Sequence, residues 1–358
     1  MAKWVYPFVL ALWLVAPAHA ILYSVTDLGT LGGTFSAAGK ISNNGTIVGQ
    51  ANITGDTAGH AFSYSGGVMT DLGTFGGTNS LAFGINDSGI IVGSANTAAS
   101  LNHAFSYSGG VMTDLGTLGG TVSQANAINS SGIIVGGADP TGATNAPHAF
   151  SYSGGVMTDL GTLGGTTSDA FYINSAGTIV GDSKITGDIA QHGFSYSGGV
   201  MADLGTLGGT NSNAEAINNS GTIIGDSYLT GDTVEHAFSY TTAGGMVDLG
   251  TLGGTHSAAW AMNSAGTIVG DAYTGSGADD AFIYTGGVMV DLNSLLDGSG
   301  AGWSLLEATG INDNGQIVGF GLVGGQLHAF LLTPEPSTCA MLVGGLGLLG
   351  WVVRRRAC

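Results

Sequence analysis

Histidine and aspartate recur along this chain at a spacing that would suit a ring of ligands. His60, His103, His148, His192, His236 and His328 hold equivalent positions, five of them in a His-Ala-Phe triplet. Asp71, Asp114, Asp159, Asp203 and Asp248 each open an Asp-Leu-Gly triplet downstream of such a histidine. Imidazole with carboxylate can ligate zinc or work as a general acid-base pair. Equivalent positions of neighbouring repeats lie far apart unless they face a common axis, however, and a metal cage needs its ligands within about 2 to 2.6 Å of one ion. The pattern therefore predicts a hydrogen bond inside each unit, from the histidine to the Asp-Leu-Gly aspartate or to the serine after Gly-Gly-Thr, and no metal. The recurring aspartates read as turn caps, because a short carboxylate readily accepts from backbone N–H groups two or three residues on.

A second carboxylate set is less regular. Asp56, Asp188 and Asp232 end Thr-Gly-Asp sequences in linkers of variable length. They are the candidates for holding calcium or a hydrated sugar, with a solvated hairpin tip as the alternative. No Gly-x-x-x-x-Gly-Lys-Ser/Thr phosphate loop occurs, and no nucleophile elbow with matching Asp and His breaks the repeat. Trp260, Asp279, Asp280, Trp303 and Glu307 are the main departures from the repeat, and they form no recognisable catalytic set. The expectation is a protein without a cofactor and without enzymatic activity. The alternative is a carbohydrate-active lyase or hydrolase, which as a hydrolase would need two carboxylates about 5 to 10 Å apart.

Short strands must position these residues. Aligned on Asp-Leu-Gly, with Asp291 in Asp-Leu-Asn, the chain shows seven units of 43 to 45 residues beginning at Asp27. Each unit repeats an Ala-x-x-Ile-Asn-like strand, an Ile-Val-Gly strand, a His-Ala-Phe-Ser-Tyr strand and a Val-Met-x-Asp-Leu-Gly strand, all bounded by turn residues. Asn86-Asp87-Ser88-Gly89 and Ser65-Gly66-Gly67 illustrate the two tight turns. Four antiparallel strands repeated seven times predict an all-β fold, a seven-bladed β-propeller over 21–332, with a β-solenoid as the alternative. Thr-Leu-Gly-Gly-Thr-x-Ser is expected to cross from one blade to the next. Tyr23–Gly29 is a fourth strand with nothing before it, while the last unit stops after its third strand, His328–Leu332. The N-terminal strand should therefore complete the last blade, since an open solenoid would need caps instead.

The two ends carry targeting chemistry. Lys3, the apolar run Trp4–Val15 and Ala18-His19-Ala20 predict a signal peptide over 1–20. At the other end, 333–358 contains Pro334-Glu335-Pro336, an apolar stretch to Val353 and Arg354, Arg355 and Arg356. That stretch predicts a short spanning helix whose arginines stay cytoplasmic. Both cysteines, Cys339 and Cys358, lie there, so no disulfide staples the repeats. The chain carries a formal charge of −18, and four of its six basic residues sit in the two ends. Such a balance excludes nucleic acid and anionic lipid as partners of the repeats.

The C-terminal arrangement resembles the PEP-CTERM sorting signal of Gram-negative bacteria that make exopolysaccharide. The resemblance implies that exosortase, a membrane-bound transpeptidase-like protease, recognises Pro334, Glu335 and Pro336 and removes the tail; the trailing Ala357-Cys358 departs from the pattern. The His-Ala-Phe units resemble the HAF-type extracellular repeats of bacterial surface proteins, with Gly193 and Asp280 as departures. Together these imply a protein exported through the inner membrane, anchored briefly by its C-terminal helix and finally cell-surface or extracellular. Its expected role is an interaction or exopolysaccharide-associated scaffold.

Overall fold

The computed structural model describes residues 21–336, of which Tyr23–Pro334 form one compact unit. The expected signal peptide, the apolar tail and Arg354, Arg355 and Arg356 lie outside the described residues. Among those described, no helix is long and apolar enough to cross a membrane.

Unit 1 shows how each repeat folds. An inner strand Gly32–Ile41 pairs with Ile47–Ile53, which pairs with Gly59–Ser65, which pairs with an outer strand Val68–Asp71, all antiparallel. The hairpin glycines Gly66 and Gly67 take φ of 58° and 84°, the left-handed pair that a two-residue turn demands and that a side chain would oppose. The inner strand carries an extra residue between Ala38 and Lys40, which bends it. Gly49 of the Ile-Val-Gly triplet lies under that bulge, where a Cβ would strike the Ala37 carbonyl. The inner strand is longer than its sequence suggested. Gly32 already stands opposite Ile53, so Gly-Gly-Thr-x-Ser belongs to the strand and only Leu28–Leu31 make the crossing.

The pattern recurs in five separate four-stranded sheets and one of eight strands. The larger sheet is two meanders fused by a single parallel pairing, Glu235 with His256. We number the repeats 1 to 7 from the inner strands starting at Gly32, Gly76, Gly119, Gly164, Gly208, Gly253 and Trp303. Unit 7 ends with Gln326–Pro334, and its outer strand is Tyr23–Asp27, antiparallel from Tyr23 opposite Pro334 to Asp27 opposite Phe330. The expected completion of the last unit by the first strand thus holds. The compact unit runs from Tyr23 to Pro334.

Each core is shared by two successive units. Phe62 and Ile47 of unit 1 pack with Val318 and Ala329 of unit 7, and Phe105 of unit 2 packs with Val48 and Ala61 of unit 1. The aromatic ring of every His-Ala-Phe equivalent, Phe62 through Phe330, is fully buried. Burying one such ring contributes roughly 1.5 to 3 kcal/mol, so a single unit cannot supply a core of its own.

Candidate functional site

The repeated polar residues hold the units together. Nδ1 of His60, His103, His148, His192 and His236 lies 2.8 to 2.9 Å from the carboxylate of Asp71, Asp114, Asp159, Asp203 and Asp248 respectively. His328 makes the same contact with Asp27, pinning the N-terminal strand to unit 7. Each aspartate also accepts from the backbone N–H two residues on, as Asp71 does from Gly73 at 2.7 Å. The hydrogen bond expected inside each unit is therefore the one to the Asp-Leu-Gly aspartate. In unit 6, Asp280 replaces the histidine, and Asn293 of Asp-Leu-Asn donates to both Asp280 and Asp291. The Gly-Gly-Thr-x-Ser serine works between units instead: Ser80 Oγ donates to the Gly73 carbonyl and accepts from the Ala61 N–H of the previous unit.

The Thr-Gly-Asp carboxylates turn inward on their own units. Asp56 accepts from the Thr34 N–H and hydroxyl and from Asn52, which holds it below the usual carboxylate range. Asp188 and Asp232 accept from the Thr166 and Thr210 N–H groups. Their left-handed φ values of 54°, 56° and 53° fold each linker back onto the start of the inner strand. These carboxylates shape the linker.

The inner strands surround an axial channel. At the end formed by the tight Asn-x-x-Gly turns it opens into a cavity of about 200 Å³ lined by residues of all seven units. Asn86 donates to the Asn129 carbonyl, Asn129 to Asn174, Asn174 to Asn218, Asn263 to Asn312, and Asn312 back to Ser42. The same amides cap their own turns, Asn86 Oδ1 accepting from Ser88 and Ile90. Asn218 breaks the series, its amide facing the Met262 sulfur at 3.7 Å. This ring of amides follows from the Ile-Asn motif, with Ser42 in place of the asparagine in unit 1.

Further in, the repeat is broken on one side only. Lys40 of unit 1 reaches across the channel and donates to the carbonyls of Thr309 (2.9 Å) and Trp260 (3.2 Å), 5.9 Å from the centre of the Tyr172 ring. Equivalent positions carry Gly84, Ala127, Ala216, Ala261 and Gly310, so Lys40 and Tyr172 alone narrow the channel there. Units 4 to 7 place around it Asp169, Asp182, Glu215, Asp226, Asp271 and Glu307. Burial is the largest cause that shifts Asp169, Asp182, Glu215, Asp226 and Glu307 upward. It pushes Glu215 up to about 8 and Glu307 to about 7, with Lys40 pulling both back, and Asp182 to about 6. Asp169 and Asp226 are raised well above the ordinary range by burial and then by neighbouring carboxylates. Burial brings Lys40 down to about 8, opposed by Glu215 and Glu307.

The arc continues to the linker end of units 5 and 6 as a chain of hydrogen-bonded acids. Asn213 donates to Asp226 at 2.9 Å, and Asp226 hydrogen-bonds Glu235. His256 Nδ1 lies 3.1 Å from Glu235, and its Nε2 lies 3.3 Å from Asp271. Asp271 accepts from Trp260 Nε1 and hydrogen-bonds Asp279. Held between Asp271 and Glu235, the imidazole is pushed up to about 10 and is cationic at neutral pH. Hydrogen bonding to it draws Glu235 below its ordinary value, while burial and then Asp271 lift Asp279 to about 6. Carboxyls that change protonation between about pH 6 and 8 can give or take a proton, and in either state can hydrogen-bond hydroxyls.

Of the departures visible in the sequence, Trp260, Asp279 and Glu307 meet in this arc. Trp303 does not; it packs edge-on against Phe330 in the core at 6.2 Å. Sequence reasoning passed over Lys40, Asp169, Asp182, Glu215, Asp226, Glu235, His256 and Asp271. A column-by-column comparison of the units shows the signal. The column of Glu215 otherwise holds Gly39, Phe83, Asn126, Phe171, Trp260 and Thr309, and that of Asp226 holds Gln50, Ser94 and Gly137 in units 1 to 3 against Asp182 and Asp271 in units 4 and 6.

Residues 332–356 match the PEP-CTERM protein-sorting motif, the mark of a protein exported through the membrane in Gram-negative bacteria. No curated protein matches the chain. Among solved structures it is similar to a puromycin-hydrolyzing peptidase of Mycobacterium tuberculosis, with a TM-score of 0.53 and 11% identity over 89% of this chain and 55% of that one. TolB from Acinetobacter baumannii gives 0.46 and 11% over 88% and 63%. The gluconolactonase XC5397 from Xanthomonas campestris gives 0.42 and 10% over 89% and 97%. The chain thus spans little more than half of the peptidase and under two thirds of TolB, and at such identities the likeness concerns the fold alone.

Proposed function

We propose that this chain is a closed seven-bladed β-propeller of the cell surface or extracellular matrix that binds a polyhydroxylated ligand at the linker end of its channel without transforming it. Exosortase-type processing of the tail at Pro334 to Pro336, a transient C-terminal membrane helix and HAF-type membership of the repeats belong to the same reading. Shared cores and the Asn312 to Ser42 hydrogen bond between the last and first units support closure.

The observation that carries the ligand site is the one-sided arc from Asp169 to Glu307. A purely structural repeat has no reason to concentrate buried carboxyls in units 4 to 7. Protonated and ionised carboxyls side by side, with His256, Asn213 and Trp260 among them, offer donors and acceptors to a ring of hydroxyls and an aromatic face to its C–H groups. The negative balance of the channel favours a neutral or cationic glycan over a polyanion. The producer's own exopolysaccharide is the first ligand to try.

One observation favours a second reading. Glu215 at about 8 and Glu307 at about 7 have the acidity a general acid needs near neutral pH, as a carbohydrate-active enzyme would require. A glycan array, followed by a release assay on the exopolysaccharide with wild type and Glu307→Gln, separates the two. Binding that the substitution weakens, with no product, supports the binding protein. Product formation abolished by the substitution supports the enzyme, and no binding to any glycan sinks both.

A further inference from the structure

The sorting motif starts inside the folded body. Gln326–Leu332 is paired on one side with Ile317–Val323, and Phe330–Pro334 is paired on the other with the N-terminal strand, so that Thr333 and Pro334 have only that strand beside them and Tyr23 opposite Pro334 is its last rung. Pro334 also lies against Gly315 of the last Asn-x-x-Gly turn, at 3.6 Å from where a Cβ would stand. One residue on, the Glu335 N–H donates to the Leu22 carbonyl at 2.9 Å. Three further contacts hold the covering strand down. Tyr23 is 4% exposed in the core of units 6 and 7, the Val25 N–H donates to Ser299 Oγ at 2.8 Å, and Asp27 is clasped by His328.

A protease takes its substrate as an extended strand and satisfies that strand's backbone groups from its own cleft. At Thr333 and Pro334 one edge is already taken by the N-terminal strand, and Pro334 rests against the Gly315 turn, so the segment cannot be drawn into a cleft while that strand stays docked. We propose that the N-terminal strand masks the sorting motif, so that cutting there requires the Tyr23–Pro334 end of the ladder to open. Docking of Tyr23–Asp27 is both the last step of folding and the step that hides Pro334. Tail removal is accordingly fast on chains whose first strand is undocked and slow once it has docked. This inference rests on the sorting motif and the strand pairing, and is independent of any ligand in the channel.

The test uses the full chain in detergent and an endoprotease that cuts after proline. The enzyme adds water across the Pro334–Glu335 amide to leave a Pro334 carboxylate and a Glu335 amine, and mass spectrometry follows the products. Pro140 and Pro147, inside unit 3, report loss of the whole fold. A variant with eight Gly and Ser residues inserted between Thr333 and Pro334 moves the motif out of the ladder and leaves the covering strand intact. We expect it to be cut at least tenfold faster at Pro334, with unchanged melting and unchanged protection at Pro140 and Pro147. Equal rates for wild type and insertion variant overturn the masking. In cells that process the chain, the insertion should shorten the lifetime of the uncut precursor by a similar factor, and an unchanged lifetime overturns the timing role.

Discussion

Replacing Glu215 by glutamine should stabilise the protein, by an amount that depends on pH in a defined way. In the fold its acidity is shifted from 4.5 to about 8, mainly because the carboxyl is taken from water into the channel wall. Between those two values the folded chain holds a proton that the unfolded chain has lost. Stability therefore falls as pH rises through that window, by about 1.4 kcal/mol per pH unit for this one group. At pH 7 the cost is on the order of 3 kcal/mol, an upper figure because channel water still reaches the side chain. A glutamine side chain has the same shape and nothing to ionise, so Glu215→Gln removes that cost. Urea denaturation of both proteins at pH 4.5, 6 and 7.5 reads the effect directly. The two should be nearly equal at pH 4.5, and the variant should lead by about 2 kcal/mol at pH 6 and about 3 kcal/mol or more at pH 7.5. A second readout follows from Lys40, whose charge Glu215 supports. Its ammonium should lose its proton at lower pH in the variant. A stability difference that stays flat from pH 4.5 to 7.5 would refute the burial of Glu215 in a shared, water-poor arc.

Other substitutions probe the scaffold and the arc separately. Phe150→Ala empties a fully buried site that packs against unit 2, and should cost about 3 to 5 kcal/mol in denaturant unfolding. Asn129→Ala removes caps to Ser131 and Ile133 and the bond to Asn174, so a loss of roughly 1 to 3 kcal/mol is expected, with faster amide exchange in units 3 and 4. His256→Gln takes the cation from between Glu235 and Asp271. Because the imidazole's value is raised from 6.5 to about 10 in the fold, its contribution is fully present below about pH 6.5 and is lost as pH rises toward 10, so the variant's deficit should be largest near pH 6 and shrink by pH 9.5. Thermal scans at pH 6 and pH 9.5 compare the two conditions.

How much could be read from the residues themselves differs between scaffold and site. The seven-fold period, the strand order, the His–Asp contacts and the completion of unit 7 by Tyr23–Asp27 were legible because every unit meets the same local demands. A turn needs its glycine, an interface needs its phenylalanine, and the demand repeats about every 44 residues. The length of the inner strand was not legible, since Gly32 and Gly33 look like a connection and become strand through pairing across the bulge with the end of the second strand, Gly32 opposite Ile53. The arc was hidden for a related reason. Glu215, Asp226, His256 and Glu307 come from different units, and it is the curvature of the array, set by packing rather than by local pattern, that turns them toward one space. Lys40 is further still in sequence, 267 residues from Glu307.

The pairing of the first strand with the last unit is the observation on which the proposed closed ring, its channel and the masked motif rest. Ser24 and Thr333 are opposite one another in that last ladder, at the Cα separation of directly facing strand residues, about 4.5 to 5.5 Å, which a disulfide spans without strain. With Cys339 and Cys358 replaced by serine, the Ser24→Cys, Thr333→Cys protein under mild oxidation should form a single disulfide within each chain, nearly to completion and at any protein concentration. Free thiols, or bridges only between chains, would contradict the closed ring.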